Sequence, residues 1–281
     1  MNISQYKKNE IKKFCSLIKT KQEDLNNIIE NIDSYYSEWN EPKLDKFGNP
    51  KKHKDGTIKI RTIRPPKNEL KLIQSRIKNN ILNKIPLPDY IHGGVKKKSN
   101  ITNAKKHQGN KYIFTTDLQE FFPSIKSKRV YKTFVDLNYS THFSRLLTKL
   151  TTWKYEVPQG TPTSSHIANI VFLETDKLLD KLSKENAITY TRYVDDLTFS
   201  AQKDFSHLIK EILEIIQKNS FKISHRKTIY KANQTVTGIN VFLNKIDAPL
   251  KIIQKAELEI QNDSSKKPYS IYLNQIRQTN K

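Results

Sequence analysis

The stretch from Thr191 to Ser200 constrains this chain most, because it places two adjacent carboxylates between β-branched and aromatic residues. The flanking residues, 188–193 and 197–199, predict the two strands of a hairpin with a tight connection at Val194-Asp195-Asp196. Neighbouring side chains on a strand point to opposite faces, so Asp195 and Asp196 can reach one place only if the turn redirects one of them. An Asp-Asp pair taken alone usually lies in a solvated turn without a catalytic role. The rest of the sequence therefore has to show whether this pair is functional.

The residues around this hairpin predict a mixed fold. A strand over 111–116 ends at Asp117, and helices follow it, one capped by Ser127 and one by Ser164 or Ser165. An amphipathic helix from Phe205 follows the hairpin, and 221–223 and 236–241 are predicted strands. This order predicts an α+β fold in which an antiparallel sheet carries helices on one face.

The first third of the chain predicts a basic module. Residues 1–40 have a helical pattern, and 41–60 predict either a basic surface hairpin or a flexible linker. Residues 59–66 alternate basic and apolar side chains like an edge strand ended by prolines. A helix and the Gly-Gly loop at 92–99 follow, so residues 41–110 could clamp a nucleic acid or a nucleotide triphosphate.

Charge points to the class of partner. Lys and Arg number 50 against 28 Asp and Glu, which gives a net charge of +22. The 13 Tyr and 12 Phe favour nucleic acid over an anionic membrane, because bases stack on aromatic rings, although an AT-rich genome also enriches lysine. With no long apolar run and no secretory segment, we expect a cytoplasmic protein without a membrane partner. Cys15 is the single cysteine, which excludes an intrachain disulfide and a thiolate zinc cluster.

Asp117, Asp195 and Asp196 suit a shared divalent-metal site. Mg²⁺ takes hard oxygen ligands, usually one or two carboxylates together with water and substrate phosphates. In nucleotidyl transfer, two such ions about 3.5–4 Å apart activate the attacking oxygen and stabilise the leaving pyrophosphate. The chain has neither a Walker pattern nor a Gly-x-Ser-x-Gly elbow.

Five sequence blocks, in this order, resemble the fingers and palm blocks of reverse transcriptases. They are Arg61 on its basic strand, Asp117 followed by Phe121-Phe122-Pro123-Ser124-Ile125, Pro158-Gln159-Gly160, Tyr193-Val194-Asp195-Asp196, and His225-Arg226-Lys227-Thr228. Two shorter motifs resemble those typical of retron reverse transcriptases, a bacterial subgroup. They are Asn103-Ala104-Lys105-Lys106-His107 and Val236-Thr237-Gly238.

The resemblance implies a right-hand polymerase fold with fingers, palm and thumb. Fingers would cover 41–110 and palm 111–243, with an N-terminal helical segment over 1–40. The remaining 244–281, helical around 252–260, would form a thumb-like segment shorter than the family usually carries. A short thumb would leave the grip on the duplex to a partner chain or to the RNA.

The resemblance also implies roles for single residues. Asp117, Asp195 and Asp196, with the backbone of Leu118, would hold two Mg²⁺, or Mn²⁺. Phe122 would lie under the sugar of the incoming deoxynucleotide and exclude a 2′-hydroxyl, with an ordinary core phenylalanine as its alternative. Triphosphate binding is implied for Arg61, together with Lys59 and Arg64. Gln159 and Gly160 would contact the nascent base pair, Lys227 would contact the triphosphate or the primer, and Tyr193 would support the primer end.

For retron enzymes, the resemblance implies a structured non-coding RNA as template and dNTPs as substrates. Synthesis starts from a guanosine 2′-hydroxyl and gives a branched RNA–DNA molecule (msDNA), usually in anti-phage defence with an effector protein. RNA-contacting surfaces would then include Asn103, Ala104, His107, Val236, Thr237 and Gly238. The structural alternatives are a helix start at Asn103 and a β-turn at Gly238.

Two other functions fit part of the pattern. A defence-associated or group II intron-like reverse transcriptase would share the polymerase blocks without using a retron RNA. A non-catalytic RNA-binding scaffold would keep the fold but is expected to lose a metal ligand, whereas all three aspartates are present.

Overall fold

The computed structural model describes residues 3–44, 48–53, 55–232, 234–262 and 265–280. Two compact units divide the chain, and each is built from two segments. The first unit comprises Met1–Pro86 and Phe122–Val171, and the second comprises Leu87–Phe121 and Phe172–Lys281.

Helices and strands alternate along the described residues. The helices are α1 (Ile3–Ile18), α2 (Gln22–Glu30), α3 (Asn68–Asn80), α4 (Asn100–Lys105), α5 (Phe121–Ser124), α6 (Ser127–Asp136), α7 (Thr141–Thr151), α8 (Ser164–Glu185), α9 (Ile209–Lys218), α10 (Leu250–Gln261) and α11 (Pro268–Gln278). The strands are β1 (Trp39–Pro42), β2 (Ile60–Ile63), β3 (Tyr112–Asp117), β4 (Thr189–Tyr193), β5 (Asp196–Ala201), β6 (Ile229–Ala232), β7 (Thr235–Val236), β8 (Ile239–Val241) and β9 (Ile246–Asp247).

Packing among α1, α3 and α7 builds the core of the first unit. Phe14, Ile73 and Leu147 are among its buried side chains. The two-stranded sheet β1-β2 is antiparallel, with Trp39 opposite Ile63. Beyond it, main-chain bonds link 43 with 59 and 51 with 43, so the predicted basic hairpin over 41–60 forms a paired extended chain. Residues 45–47 and 54 of that hairpin lie outside the described residues.

The second unit carries a four-stranded antiparallel sheet in the order β4-β5-β3-β6. Aromatic side chains pack against one another on this sheet. The ring centroids of Tyr190 and Phe199 are 4.7 Å apart in a stacked pair, and those of Phe114 and Phe199 are 5.9 Å apart. A separate three-stranded sheet, β7-β8-β9, shares a buried cluster with residues of α4, α10 and α11. Helices combined with antiparallel sheets confirm the predicted α+β class.

Several local predictions are corrected. Ser127 is the first residue of α6 and does not cap it; Lys126 precedes the helix without a side-chain cap. Residues 221–223 contribute only one bridge, Leu118 with Ile223, and the strand beside β3 is β6, which the sequence pattern did not reveal. Residues 236–241 form the β7–β8 hairpin, because Thr237 and Gly238 both have positive φ and reverse the chain.

Two further elements escaped the sequence pattern. The strand β1 includes two residues of the segment predicted as helical, and α7 lies in a region without a predicted element. The predicted cap of α8 by Ser164 or Ser165 is also wrong, because both residues lie within the helix, and the Oγ1 of Thr161 accepts the hydrogen bond from the Ser164 amide at 3.2 Å. None of the helices in the described part of the chain is long and apolar enough to span a bilayer.

Candidate active site

The three predicted metal-binding aspartates meet at one end of the four-stranded sheet. Asp117 is the last residue of β3, and its register partner Asp196 is the first residue of β5. Asp195 lies in the two-residue turn between β4 and β5, directly after Val194. One carboxylate oxygen from each aspartate lies within 4.8 Å of the other two. The turn therefore brings the adjacent Asp195 and Asp196 to one place, where Asp117 joins them.

Main-chain hydrogen bonds hold these carboxylates together. The Leu118 amide donates to the Asp195 carbonyl at 2.9 Å, which joins the end of β3 to the turn. The Ser224 amide donates to the Asp117 carbonyl at 2.8 Å, which joins β3 to the segment that carries Lys227. Because each link is made by the backbone, the carboxylates are held by rigid elements.

The electrostatics of this cluster favour a bound cation. Burial, reinforced by the negative charges of Asp195 and Asp117, raises the pKa of Asp196 to about 7. The Lys227 ammonium contacts the Asp117 carboxylate, and this bond and the aspartate charges raise the pKa of Lys227 although burial opposes it. Three crowded carboxylates that already attract an ammonium group are a suitable donor set for a hard divalent cation such as Mg²⁺.

The predicted nucleotide-binding residues divide between the two units. Lys59, Arg61, Phe122, Gln159 and Gly160 belong to the first unit, and Lys227 belongs to the second. Tyr193, predicted to support the primer end, lies opposite Asp196 in the β4–β5 hairpin of the second unit.

Within the first unit, the loop at Gln159-Gly160 lies against the strand that carries Arg61. The Arg64 amide donates to the Gln159 carbonyl at 2.8 Å. Gly160 has a φ of +92°, and a Cβ there would lie 3.1 Å from a methyl of Ile63. Arg61 is exposed, and no ion pair involves it among the described residues, whereas Arg64 pairs with Glu38 and Glu156. Arg61 thus presents its charge to solvent, and Arg64 is engaged within the fold.

The two retron-like motifs come together in the second unit, but most of their side chains are buried. Asn103, Ala104, His107 and Val236 are all fully enclosed. The side-chain amide of Asn103 donates a hydrogen bond to the Thr237 hydroxyl at 3.3 Å, which links α4 to the turn between β7 and β8. The prediction that these four side chains form an RNA-contacting surface is therefore corrected, while Gly238 is exposed.

His107 has a structural environment. Its Nδ1 and Nε2 lie 2.7 Å and 2.6 Å from the hydroxyls of Ser200 and Thr191, on the two strands of the hairpin. Burial, with a smaller contribution from His92, lowers the pKa of His107 to about 3. A neutral, fully hydrogen-bonded imidazole therefore joins the end of α4 to β4 and β5. The alternative prediction of a helix start at Asn103 is also wrong, because Ser99 caps α4 in a capping box with Thr102.

The contacts of three residues near the aspartate turn were not predicted from the sequence, in which Gly93 was assigned only to a loop that could bind phosphate. Arg192 and Asp176 form a fully buried ion pair, and Gly93 lies directly against the Val194 turn. In so basic a chain, the presence of an arginine on a predicted strand does not indicate a buried ion pair. A buried partner on α8 can be recognised only once the fold is known.

Comparison with known proteins gives the family. Residues 50–241 match the family model described as reverse transcriptase (RNA-dependent DNA polymerase). The retron Ec73 reverse transcriptase of Escherichia coli is 32% identical over 251 residues, which cover 77% of this chain and 79% of that protein. The retron Ec86 reverse transcriptase of Escherichia coli is 33% identical, covering 67% of this chain and 60% of its own length. The retron Mx162 reverse transcriptase of Myxococcus xanthus is 30% identical, and the match covers 84% of this chain and 54% of that protein.

The chain thus spans only about half to three fifths of the length of several of these relatives, Ec86 and Mx162 among them. Among solved structures, telomerase from Candida albicans has a TM-score of 0.50 at 11% identity, covering 73% of this chain and 49% of that one. This likeness concerns the fold alone, and it agrees with a polymerase fold with fingers and palm. The family model, the relatives and the carboxylate cluster agree, and the chain belongs to the reverse transcriptase family, among the retron reverse transcriptases.

Proposed function

We propose that this chain is the RNA-directed DNA polymerase of a retron, which copies part of a structured non-coding RNA into a branched RNA–DNA molecule. Its main support is the meeting of the Asp117, Asp195 and Asp196 carboxylates within 4.8 Å. In the reaction, a primer hydroxyl attacks the α-phosphorus of a dNTP, a new phosphodiester bond forms, and pyrophosphate leaves.

The aspartates and the backbone of Leu118 would hold two Mg²⁺, which Mn²⁺ could replace. When bound, these ions would lower the cost of deprotonating the primer hydroxyl and stabilise charge on the leaving pyrophosphate. The chain itself supplies the fixed carboxylates and keeps Lys227 beside Asp117. From this position the Lys227 ammonium group can form an ion pair with the substrate phosphates.

The remaining site residues would select and orient the nucleotide. Exposed Arg61 on β2 and half-buried Lys59 just before it bind the triphosphate, and the neighbouring Gln159-Gly160 loop contacts the nascent base pair. Phe122 excludes the 2′-hydroxyl of a ribonucleotide. Tyr193, directly before the turn, supports the primer end.

The structured RNA would be held by charge and shape, which suits a chain of net charge +22. Buried Asn103, Ala104, His107 and Val236 keep α4 and the Thr237-Gly238 turn in position. Exposed Gly238 and half-buried Lys105, on those elements, would then face the RNA. We further propose that the enzyme works in the bacterial cytoplasm, in anti-phage defence with an effector protein.

Primer extension on an RNA template tests the polymerase assignment. Purified protein with Mg²⁺ and dNTPs should extend the primer, and Asp117→Asn should abolish extension by removing charge from the metal site. Asp136→Asn, which changes an exposed carboxylate paired with Lys132, is the matched control and should extend normally. Unchanged extension by Asp117→Asn would refute the assignment.

Sequencing the nucleic acid that copurifies with the protein tests the retron assignment. The expected result is one structured RNA with DNA that stays attached after denaturation and is released by cleavage of a 2′–5′ linkage. DNA synthesis on unrelated RNAs, without any attached product, would favour the non-retron reverse transcriptase instead.

A further inference from the structure

Arg192 on β4 is a fully buried cation with a fixed position. Its Nε and Nη2 donate to the two carboxylate oxygens of Asp176 on α8, at 2.9 Å and 2.6 Å. The Phe172 ring lies 4.8 Å from the guanidinium carbon, and the Tyr190 hydroxyl donates to the same carboxylate at 2.7 Å. A two-pronged ion pair of this kind sets both the position and the plane of the guanidinium.

The third arm of this guanidinium reaches the turn that carries Asp195. Its Nη1 donates to the Val194 carbonyl oxygen at 3.0 Å. Val194 has a φ of +59°, a conformation that a β-branched residue adopts only when its surroundings impose it. The Val194 carbonyl and the Asp195 amide belong to one rigid peptide plane. A bond that fixes the carbonyl therefore also fixes the direction in which Asp195 leaves the turn.

Gly93 supports the same turn. The His92 amide donates to the Arg192 carbonyl and the Arg192 amide donates to the Tyr90 carbonyl, both at 2.8 Å, so residues 90–92 run alongside β4. At Gly93 a Cβ would lie 2.4 Å from the Val194 nitrogen and 2.5 Å from its Cγ2. Only a residue without a side chain allows this approach.

We propose that Arg192 is a positioning residue: its ion pair with Asp176 holds the Val194 peptide so that Asp195 points towards Asp117 and Asp196. Arg192 itself touches neither metal nor substrate. The inference rests on the proposed metal-dependent function of this cluster and adds to it a buried device that sets the cluster's geometry.

Mn²⁺ binding to the purified protein, followed by electron paramagnetic resonance, tests this without requiring activity. Arg192→Lys keeps the positive charge, but a lysine ammonium group cannot reproduce the three hydrogen bonds of the guanidinium, two to the Asp176 carboxylate and one to the Val194 carbonyl. We expect its Mn²⁺ dissociation constant to rise about tenfold or more, as for other groups that orient metal ligands. In primer extension, kcat should fall more than KM for dNTP rises. Tyr190→Phe is the matched control, because it removes a hydrogen bond to Asp176 without touching the turn, and it should change thermal stability but not Mn²⁺ affinity.

Gly93→Ala provides a second route if Arg192→Lys does not fold. The added methyl presses on the turn from the Gly93 side, and the same loss of Mn²⁺ affinity is expected in a protein that keeps its far-ultraviolet circular dichroism spectrum. Mn²⁺ affinity within twofold of wild type in whichever of these variants folds would overturn the proposal, as would an equal loss in Tyr190→Phe. Wild-type protein that binds Mn²⁺ but makes no DNA would instead refute the proposed function and leave this inference standing.

Discussion

Two hairpins of the second unit have two-residue turns of different character. In the β7–β8 hairpin, both turn residues have positive φ, +45° at Thr237 and +83° at Gly238. This form suits the twist of a hairpin, and Gly238 occupies a position where glycine is favoured, although Thr237 is a β-branched residue in the left-handed region. In the β4–β5 hairpin, positive φ falls on the first turn residue alone, where glycine is usual and this chain has Val194.

The surroundings of the two turns explain the difference. A Cβ at Gly238 would meet nothing within 4 Å, and the turn is held by polar contacts with α4: the Asn100 side-chain amide donates to the Thr237 carbonyl at 3.2 Å, and the Asn103 side-chain amide donates to the Thr237 hydroxyl at 3.3 Å. The Val194 turn is held from outside, by Arg192 on its carbonyl and by Gly93 against its backbone. Both turns hold a β-branched residue at positive φ, but the strained Val194 turn is also packed tightly against Gly93 and leads directly into two of the metal-binding carboxylates, which marks it as the one with a geometrical task.

The largest expected contrast is in DNA synthesis. Asp195→Asn in the strained turn should lower synthesis about 10³-fold or more, because it removes metal-binding charge at the reacting centre. Binding of the copurifying RNA should change little, since phosphate contacts are untouched. Single-turnover primer extension and an RNA filter-binding assay measure the two quantities.

Thr237→Val is the matched change in the β7–β8 turn. It removes the weak hydrogen bonds of the Thr237 hydroxyl with Asn103 and Asn100, both at 3.3 Å, and should leave the rate per folded molecule unchanged. A comparable loss of rate in both variants would remove the functional distinction between the turns.

Local patterns were enough to predict the strained hairpin and the carboxylates, because alternation and turn chemistry act over a few residues. The contacts that support the turn could not be predicted, since Asp176 and Gly93 reach it from elements distant in sequence. The resemblance to retron enzymes assigned the motif around His107 to an RNA-contacting surface, and its burial could not be predicted for the same reason, because its partners Thr191 and Ser200 lie on strands distant in sequence. The short strand β1, with four exposed residues, carries no alternation that would reveal it.

A smaller contrast concerns stability without metal. Because the pKa of Asp196 is about 7 in the folded chain and about 3.9 in the unfolded chain, the folded chain holds a proton on this carboxyl between these pH values that the unfolded chain has released. Stability should therefore fall as pH rises from about 4 to about 7, and the loss is complete above that range. At pH 8 in EDTA, Asp196→Asn should be more stable than wild type by about 1–2 kcal/mol, with a smaller difference at pH 5. Thermal unfolding at both pH values measures this.

Asp89→Asn controls for the sign of this effect. The hydrogen bonds and charges of Lys106 and Lys98 hold the pKa of Asp89 well below its usual range, so removal of its charge should not stabilise the protein at pH 8. If both variants gained stability equally, general relief of charge would explain the result, and crowding of carboxylates beside the strained turn would not.

The smallest expected effect lies in the β7–β8 turn. Gly238→Ala meets no steric obstacle, so its cost is conformational, about 1 kcal/mol for a side chain in the left-handed region. This corresponds to a fall in Tm of about 2–4 °C for a chain of this size. Gly238→Asn should cost less, because asparagine tolerates that region better. Mn²⁺ affinity should stay at the wild-type value in both variants, unlike in Gly93→Ala. A loss of Mn²⁺ affinity in Gly238→Ala would mean that the two turns are mechanically coupled, and the β7–β8 turn would then share the task assigned to the Val194 turn.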